Sequence, residues 1–293
     1  MTDLPSLRLA TRGSRQALAQ STAVAGLIRE FSGREVELVE ISTIGDRTQG
    51  DNVPLHSIGG QGVFVKEVQR AVLDGRADLA VHSAKDLPSE TEPGVLLAAF
   101  TERRSPNDVL IGRSLNELAP GATVATGSVR RRAQLASVRP DLRFAELRGN
   151  IDSRITKVPD GGAVVMALAA LEILGMTGRV DQVLGIDEFI PAVGQGCVAV
   201  ECRVDDVDTI AALATVDHAD TRRCVEAERA FLAELGSGCS LPVAGHASGD
   251  RLSVFLADPE RNEHVTDVVV LPDDASRLDV ARRAAADLQE RLG

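Results

Sequence analysis

The 293-residue sequence predicts an α/β protein with two similar lobes, followed by a small α+β domain. Apolar strand-like runs alternate with segments of helical periodicity over most of the chain, the pattern of largely parallel sheets. Two strand ends also look alike, because residues 11–15 and 126–130 each carry a threonine, a glycine and a serine that can cap a helix. From Ala219 onward, helices and strands are grouped instead of alternating, which is typical of an α+β domain.

The first lobe is predicted to run in order as strand, helix, strand, long loop, helix and strand. Its strands are predicted at residues 7–11, 35–42 and 78–81, and its helices at residues 14–31 and 64–75. The loop at residues 43–62 is rich in glycine, aspartate and asparagine, and a loop of this length is typical of an active-site lid.

The remaining elements follow from the same periodicities. We predict strands at residues 122–125, 144–147, 163–167 and 197–202, with helices at residues 129–138 and 168–174. The last domain is predicted to hold a helix at residues 219–235, strands at residues 252–256 and 264–271, and a helix from residue 275. The two lobes would face a cleft, because ligands of open α/β sheets bind at the carboxyl ends of the strands.

The stretch Val-His-Ser-Ala-Lys-Asp-Leu-Pro at residues 81–88 lies at one such strand end. The chain has only three lysines, and one of them, Lys85, stands here beside Asp86. Both residues are candidates for a ligand site, and the alternative is a solvated turn with a local ion pair. His82 has no evident serine or cysteine partner, so we expect it to be structural.

Positive charge is concentrated in one window of an acidic chain. Residues 130–154 contain seven arginines and three acids, a net charge of +4, whereas the whole chain carries −11. Arg130 and Arg131 lie in the first turn of a helix, where cations are disfavoured unless a bound anion offsets them. Because arginine grips carboxylates with two hydrogen bonds, we expect a ligand with several carboxylates or phosphates. Decoration of exposed helices is an equal alternative for Arg132, Arg139 and Arg143.

The composition argues against several classes of partner. The net charge and the absence of Trp and Tyr disfavour nucleic acid, which needs a basic surface and stacking side chains. The longest apolar run, at residues 163–171, is too short to span a membrane, and the first ten residues do not form a signal peptide. Four cysteines show no metal-ligand spacing, so we expect a reduced cytoplasmic setting and no metal. Cys239 lies among small residues, where a bulky substituent would fit.

Five motifs, taken together, resemble the porphobilinogen deaminase family, also called the hydroxymethylbilane synthases. They are Ala-Thr-Arg-Gly-Ser at 10–14, the stretch at 81–88, Leu-Arg-Gly-Asn at 147–150, Pro-Ala-Val-Gly-Gln-Gly at 191–196 followed by Val-Glu-Cys-Arg at 200–203, and Gly-Cys-Ser-Leu-Pro-Val at 238–243. The resemblance implies two periplasmic-binding-protein-like lobes plus a small α+β C-terminal domain. It also implies a transferase that polymerises porphobilinogen, with loss of ammonia, into the linear tetrapyrrole hydroxymethylbilane on a covalent dipyrromethane primer.

The same resemblance implies roles for individual residues. Cys239 would hold the dipyrromethane through a thioether, and Asp86 would stabilise positive charge on the pyrroles and assist proton transfer. The other cofactor-binding residues would be Lys85, Ser83, Thr126, Ser128, Arg130, Arg131, Arg148 and Arg154. The substrate contacts would be Arg12, Ser14, Gln20 and Gln195.

Several positions depart from the family pattern. Gly127 stands for a serine, Ala170 for a glycine and Ile173 for an arginine that many members have in the cleft. Two lid positions that are lysine in several relatives are Ser57 and Gln61. These departures motivate one alternative, an impaired relative that still carries the cofactor. A second alternative is a non-catalytic small-anion binding protein on the same scaffold.

For the whole chain we expect a cytoplasmic monomer in three parts, with porphobilinogen as its partner and neither nucleic acid nor membrane. Lobe 1 would comprise residues 1–101 and 197–216, with the catalytic aspartate and the lid. Lobe 2 would comprise residues 104–193, and the C-terminal domain with the cofactor cysteine residues 219–293.

Overall fold

The computed structural model describes residues 5–42, 65–236 and 242–293. The chain divides into two compact units, which are residues 1–104 with 197–223 (unit 1) and residues 105–196 with 224–293 (unit 2). The expected lid at residues 43–62 and the loop that holds Cys239 lie outside the described residues. The three-part division with the boundaries given above stays a prediction.

The helices and strands follow one another along the chain as listed here. Residues 5–145 form β1 (Leu7–Thr11), α1 (Arg15–Ser32), β2 (Val36–Glu40), α2 (Lys66–Leu73), β3 (Leu79–Ser83), β4 (Val95–Phe100), β5 (Asp108–Ile111), β6 (Thr123–Ala125), α3 (Val129–Val138) and β7 (Arg143–Ala145). The later chain forms α4 (Ile151–Ile155), β8 (Ala163–Ala167), α5 (Leu168–Glu172), β9 (Gln182–Val183), β10 (Val198–Arg203), α6 (Val207–Ala214), α7 (Ala219–Glu234), β11 (Val243–Ser248), β12 (Arg251–Asp258), β13 (Glu263–Val270) and α8 (Arg277–Leu292).

The two units contain five-stranded sheets of the same topology. The strand order is β2-β1-β3-β10-β4 in unit 1 and β7-β6-β8-β5-β9 in unit 2. In each sheet the first three strands are parallel, and the fourth, β10 or β5, runs antiparallel to both its neighbours. The similar stretches at residues 11–15 and 126–130 each follow the first strand of their own sheet, so the repeat seen in the sequence is a repeat of topology.

Helix α1 shows how the sequence builds these layers. The Ser14 side chain accepts the Ala17 N–H, and Gly33 ends the helix with a φ of 71°, a left-handed conformation that glycine adopts without strain. Its apolar face buries Val24 and Ile28 against Leu9 and other residues of the unit 1 sheet. Burial of each such side chain contributes about 1.5–3 kcal/mol to folding.

The C-terminal part of unit 2 is an antiparallel sheet with the order β11-β12-β13, packed against helices. Phe231 of α7 and Leu288 of α8 are fully buried in the same core as Leu252 and Leu256. Together with the two α/β sheets, this α+β arrangement confirms the fold class that the sequence predicts.

Strand β11 was not among the predicted elements, because its sequence Val-Ala-Gly-His-Ala-Ser lacks an apolar alternation. Gly245 within it lies against neighbouring side chains, and a Cβ there would be 3.2 Å from both Phe231 Cδ1 and Val193 Cγ2. The glycine therefore lets the strand approach its core closely.

Candidate active site

The predicted ligand-binding residues of unit 1 lie at one edge of its sheet. Strands β1 and β3 are parallel neighbours, so their carboxyl ends at Thr11 and Ser83 lie at the same edge. Arg12 and Ser14 follow the first strand, and Lys85 and Asp86 follow the second. This is the edge at which open α/β sheets place their ligands.

Two of the predicted residues contact each other at this edge. The Gln20 amide nitrogen lies 3.1 Å from Ser83 Oγ, to which it donates, and the Ser83 hydroxyl donates to Gln20 Oε1 at 3.2 Å. Beside them, the buried Ser21 hydroxyl donates to Thr11 Oγ1 at 2.7 Å. These bonds tie α1 to the carboxyl ends of both strands.

Asp86 lies at the end of a short 3-10 helix, Ala84–Asp86, directly after β3. The turn is fixed by its backbone, since Ala84 N donates to Cys197 O at 3.0 Å and Leu87 N to Ala84 O at 3.3 Å. Leu87 is buried, Lys85 is half-buried and Asp86 is exposed. The arrangement presents a carboxylate to solvent from a rigid support, which is what an electrostatic catalyst requires.

The predicted residues of unit 2 also share one edge of a sheet. Thr126 and Ser128 follow β6, and Arg148 follows the neighbouring β7. Because β5 is antiparallel to β8, its first residue, Asp108, is paired with the last residue of β8 and lies at this same edge. Ser128 caps α3 by accepting the Arg131 N–H.

Asp108 is the centre of a buried polar cluster. Its Oδ2 accepts Arg130 at 2.7 Å, and its Oδ1 accepts Arg131 at 2.6 and 3.0 Å and Gln195 at 3.0 Å. The guanidinium groups also donate to backbone carbonyls, Arg130 to Ile190 at 2.8 Å and Arg131 to Val165 at 3.1 Å. Asp108 is fully buried, and both arginines are at least nine-tenths buried.

The cluster carries one surplus positive charge, because two guanidinium groups face a single carboxylate. Burial lowers the pKa of Arg130 and the charge of Asp108 opposes that shift, but a guanidinium stays protonated in either case. Gln195 and Thr126 are also buried, with 1% and 0% exposure. The structure thus gives these residues internal partners, and direct contact of any of them with a ligand stays a prediction.

Asp108 was missed when the sequence was interpreted. Its signal is an acid that opens an apolar strand, Asp108-Val-Leu-Ile, where an exposed loop residue is the usual expectation. Two other arginines of the basic window pair with exposed acids, Arg132 with Glu146 at 2.9 Å and Arg139 with Asp141 at 2.8 Å. Those two fit the alternative of helix decoration.

The loop after β7 brings several cations together. The Arg154 Nε donates to Gly149 O at 2.7 Å, and Lys157 Nζ donates to Arg148 O at 2.9 Å. Arg148 is half-buried, and among the residues that the structure describes no acceptor is found for its guanidinium. Gly149 has a φ of 109°, so the turn requires glycine. This set of cations, with hydroxyls nearby, fits a ligand that carries several carboxylates.

The positions that depart from the family pattern have local explanations in two cases. A Cβ at Gly127 would lie 3.0 Å from the Leu147 carbonyl oxygen, a contact that the backbone must relieve by shifting. Ala170 is buried in an apolar core of unit 2, which accommodates its methyl group. Ile173 is half-buried at the end of α5, and Ser57 and Gln61 lie outside the described residues.

The chain on either side of the Cys239 loop is held by Glu228 of α7. The buried carboxylate accepts the Gly194 N–H and the Ala247 N–H, each at 2.7 Å. It therefore joins α7, which precedes the loop, to β11, which follows it. Of the other cysteines, Cys197 and Cys202 are buried and Cys224 is half-buried.

Two further searches of the described residues bear on the site. A cavity of about 510 Å³ in unit 2, lined partly by Phe255, His264 and Arg251, contains none of the predicted site residues. Within residues 5–42, 65–236 and 242–293, no group of three His, Cys, Asp or Glu could hold a metal. No helix in those ranges is both long enough and apolar enough to cross a membrane.

Known proteins match this chain over nearly all of its length. The family description "Porphobilinogen deaminase, dipyromethane cofactor binding domain" matches residues 7–211, and "Porphobilinogen deaminase, C-terminal domain" matches residues 222–288. A porphobilinogen deaminase of Nitratidesulfovibrio vulgaris (strain DSM 19637 / Miyazaki F) is 46% identical, covering 83% of this chain and 78% of its own. That of Pelobacter propionicus is 42% identical over 98% of this chain and 93% of its own.

Proposed function

The chain belongs to the porphobilinogen deaminase family, and we propose that Asp86 is the carboxylate that catalyses its reaction. The enzyme is a transferase, a hydroxymethylbilane synthase, which joins porphobilinogen units with loss of ammonia into a linear tetrapyrrole. The observation that carries the proposal is the exposed carboxylate of Asp86 on a turn fixed at the carboxyl end of β3.

The role of Asp86 follows from the charge that the reaction creates. When ammonia leaves the aminomethyl group of porphobilinogen, the pyrrole nitrogen and the adjacent carbon share a positive charge. A carboxylate placed beside the pyrrole N–H accepts its hydrogen bond and stabilises that charge. It can then take a proton when the new carbon–carbon bond has formed. Electrostatic stabilisers of this kind contribute about 3–4 kcal/mol to catalysis.

The cofactor is a dipyrromethane, which supplies, when bound, the pyrrole to which the first substrate unit is joined. We assign its thioether anchor to Cys239, in the motif Gly-Cys-Ser-Leu-Pro-Val. The other cysteines are poorer candidates. Burial, with a smaller contribution from Asp206, raises the pKa of Cys202 to about 12, so this thiol supplies almost no thiolate at neutral pH.

The cations of unit 2 would hold the carboxylates of the growing chain. Each porphobilinogen unit brings an acetate and a propionate group, so the product is a polyanion that needs several charge-assisted partners. Arg148 and Arg154 offer guanidinium groups at one sheet edge, beside the hydroxyl of Ser128. Arg130 and Arg131 would contribute the surplus charge of their cluster with Asp108.

The residues of unit 1 would complete the binding set. Lys85 and Arg12 supply positive charge at the edge that carries Asp86, and Ser83, Ser14 and Gln20 supply polar groups. Gln195 would act through its contact with Asp108. We further propose that the protein is a cytoplasmic monomer with the three-part division expected from the sequence, and that nucleic acid is no partner of it.

Replacement of Asp86 by Asn tests the function. The variant keeps the shape of the side chain and loses the charge, so we expect turnover of porphobilinogen to fall roughly a hundredfold or more. Intact-protein mass should still show the covalent dipyrromethane. Glu90, an exposed acid on the same loop, provides the control, and Glu90→Gln should keep turnover near that of the wild type. Near-normal turnover in Asp86→Asn would show that the carboxylate is not catalytic.

A further inference from the structure

Beside the strand end that carries Asp86 lies a buried polar cluster to which the reaction above assigns no role. His82, the last residue but one of β3, has its Nε2 3.1 Å from Glu201 Oε2. Gln69 of α2 donates from its Nε2 to both carboxylate oxygens of Glu201, at 3.1 and 3.0 Å. The exposed fractions are 6% for His82, 1% for Glu201 and 2% for Gln69, so the cluster is sealed from water.

The sheet topology explains why these residues meet. Strand β10 runs antiparallel to β3, and its residue Ala199 lies opposite His82. Glu201 is two residues further along β10, so its side chain points to the same face of the sheet as the imidazole. Helix α2 supplies Gln69 on that face. One buried carboxylate therefore joins three elements beside the carboxyl end of β3.

The contact between His82 and Glu201 depends on where the two strands lie. The carboxylate oxygen is within 3.1 Å of Nε2, yet it lies off the direction in which the ring nitrogen would form a hydrogen bond. The pair is therefore held by charge and by strand register instead of by a directed bond. A buried carboxylate tolerates the loss of such a partner poorly, so the pair constrains the register of β3 against β10.

The constraint reaches Asp86 through a short stretch of backbone. After the paired residues His82 and Ala199 comes the pair Ser83 and Val198, and then Ala84 donates to Cys197 O at 3.0 Å. The 3-10 turn that ends at Asp86 begins at this bond. A shift of β3 along β10 would therefore move the turn and its carboxylate with it.

We propose that His82 and Glu201 are positioning residues, which hold the end of β3 so that the Asp86 carboxylate meets the reacting pyrrole. This inference rests on the role proposed for Asp86. Neither side chain needs to touch the substrate, because both act through the backbone of residues 83–86.

The test uses holoenzyme with Glu201→Gln, His82→Gln and the double replacement. We expect kcat to fall roughly tenfold to a hundredfold in each single variant, the usual effect of misplacing a catalytic group by about 1 Å. KM for porphobilinogen should change much less, because the groups that bind its carboxylates are left in place. The double variant, which replaces an uncompensated charge by two amides, should fold and show the same loss of kcat.

The control breaks an ion pair at the other end of the same strand. Asp78 directly precedes β3 and accepts Arg8 at 2.6 Å, a contact that lowers the pKa of the carboxyl although burial opposes it. Asp78→Asn should lower the thermal midpoint and leave kcat of the folded enzyme near the wild-type value.

The results discriminate the positioning role from a merely structural one. Equal losses of kcat in Asp78→Asn and Glu201→Gln, or wild-type kcat in Glu201→Gln or in the double variant, would overturn the inference. Loss of turnover in Asp86→Asn together with full kcat in Glu201→Gln would refute the positioning role alone. Full turnover in Asp86→Asn would instead refute the proposed function of Asp86.

Discussion

Three acidic side chains, Asp108, Glu201 and Glu228, are almost completely buried, with exposures of 0%, 1% and 0%. Each accepts several hydrogen bonds and joins segments that are distant in the sequence. Removing such a carboxylate costs about 3–5 kcal/mol when it leaves buried cations or donors unpaired. At the scale of single residues, these acids hold the strand ends and loops that carry the proposed ligand-binding groups.

The sequence alone pointed to the strand-end residues but not to these acids. Lys85, Asp86 and Ser128 stand out because they follow apolar runs or begin helices, which are local signals. Asp108 and Glu201 act through partners 22 and 132 residues away, and no local pattern distinguishes them from exposed acids. Position at a strand end was predictable, and the partner across the sheet was not.

Replacement of Cys239 by Ser tests the cofactor anchor. A serine hydroxyl is a far weaker nucleophile than a thiolate, so we expect protein without the mass of the dipyrromethane and without hydroxymethylbilane production. Cys224→Ser is the matched control, because Cys224 is only half-buried on α7 and should leave the adduct in place. Survival of the adduct in the Cys239 variant would assign the thioether to another residue.

At the scale of elements, the turn Arg148-Gly149-Asn150 connects β7 to α4 with little freedom. Asn150 caps α4 by accepting the Ser153 N–H, and side chains from the helix and beyond it donate back to the turn carbonyls. Strand and helix ends of this kind were predicted well where a cap or an apolar run marks them, as at Ser14, Ser128 and β8. Strand β7 was predicted at residues 144–147 and is Arg143–Ala145, because the turn takes up the last two residues.

The change Gly149→Ala should destabilise this turn. A Cβ would lie 2.1 Å from Ser153 Oγ, and the φ of 109° is strained for any residue with a side chain. We expect the free energy of unfolding to fall by about 1–3 kcal/mol and KM for porphobilinogen to rise as Arg148 moves. Denaturant titration and steady-state kinetics measure the two effects.

Gly161→Ala separates strain from crowding. Gly161 has a φ of 63° in the same unit, but a Cβ there would meet nothing within 4 Å. This variant should lose less stability than Gly149→Ala and keep the wild-type KM. An equal KM in the two variants would show that the turn does not position a ligand-binding group.

At the scale of the whole molecule, the charge is unevenly placed. The chain carries −11 in total, yet the polyanionic product needs the cations of residues 130–154 and of the edge beside Asp86. An acidic surface with local positive sites keeps the protein soluble and restricts anion binding to those sites. Because substrate binding depends on a few local cations, a missing one should be measurable in KM.

Ile173 is the position where many relatives carry an arginine, and it supplies the last prediction. The residue is half-buried at the end of α5, whereas Ala170 and Leu171 of the same helix are in the core. An arginine at this helix end should therefore fold with little cost. If it reaches a substrate carboxylate, the added charge-assisted bond contributes about 1.5–3 kcal/mol, and we expect Ile173→Arg to lower KM for porphobilinogen roughly tenfold or more.

Val183→Arg is the matched control, because it adds the same charge to unit 2 at a position on β9 that is 49% exposed. A distant exposed charge is screened by salt within about 10 Å, so this variant should change KM very little. Mass spectrometry after brief exposure to porphobilinogen should also show fewer partly extended chains on Ile173→Arg than on the wild type, because tighter binding speeds each addition at limiting substrate. Equal KM values for Ile173→Arg and Val183→Arg would mean that residue 173 does not reach the substrate, and that the cations already present bind every carboxylate the reaction requires.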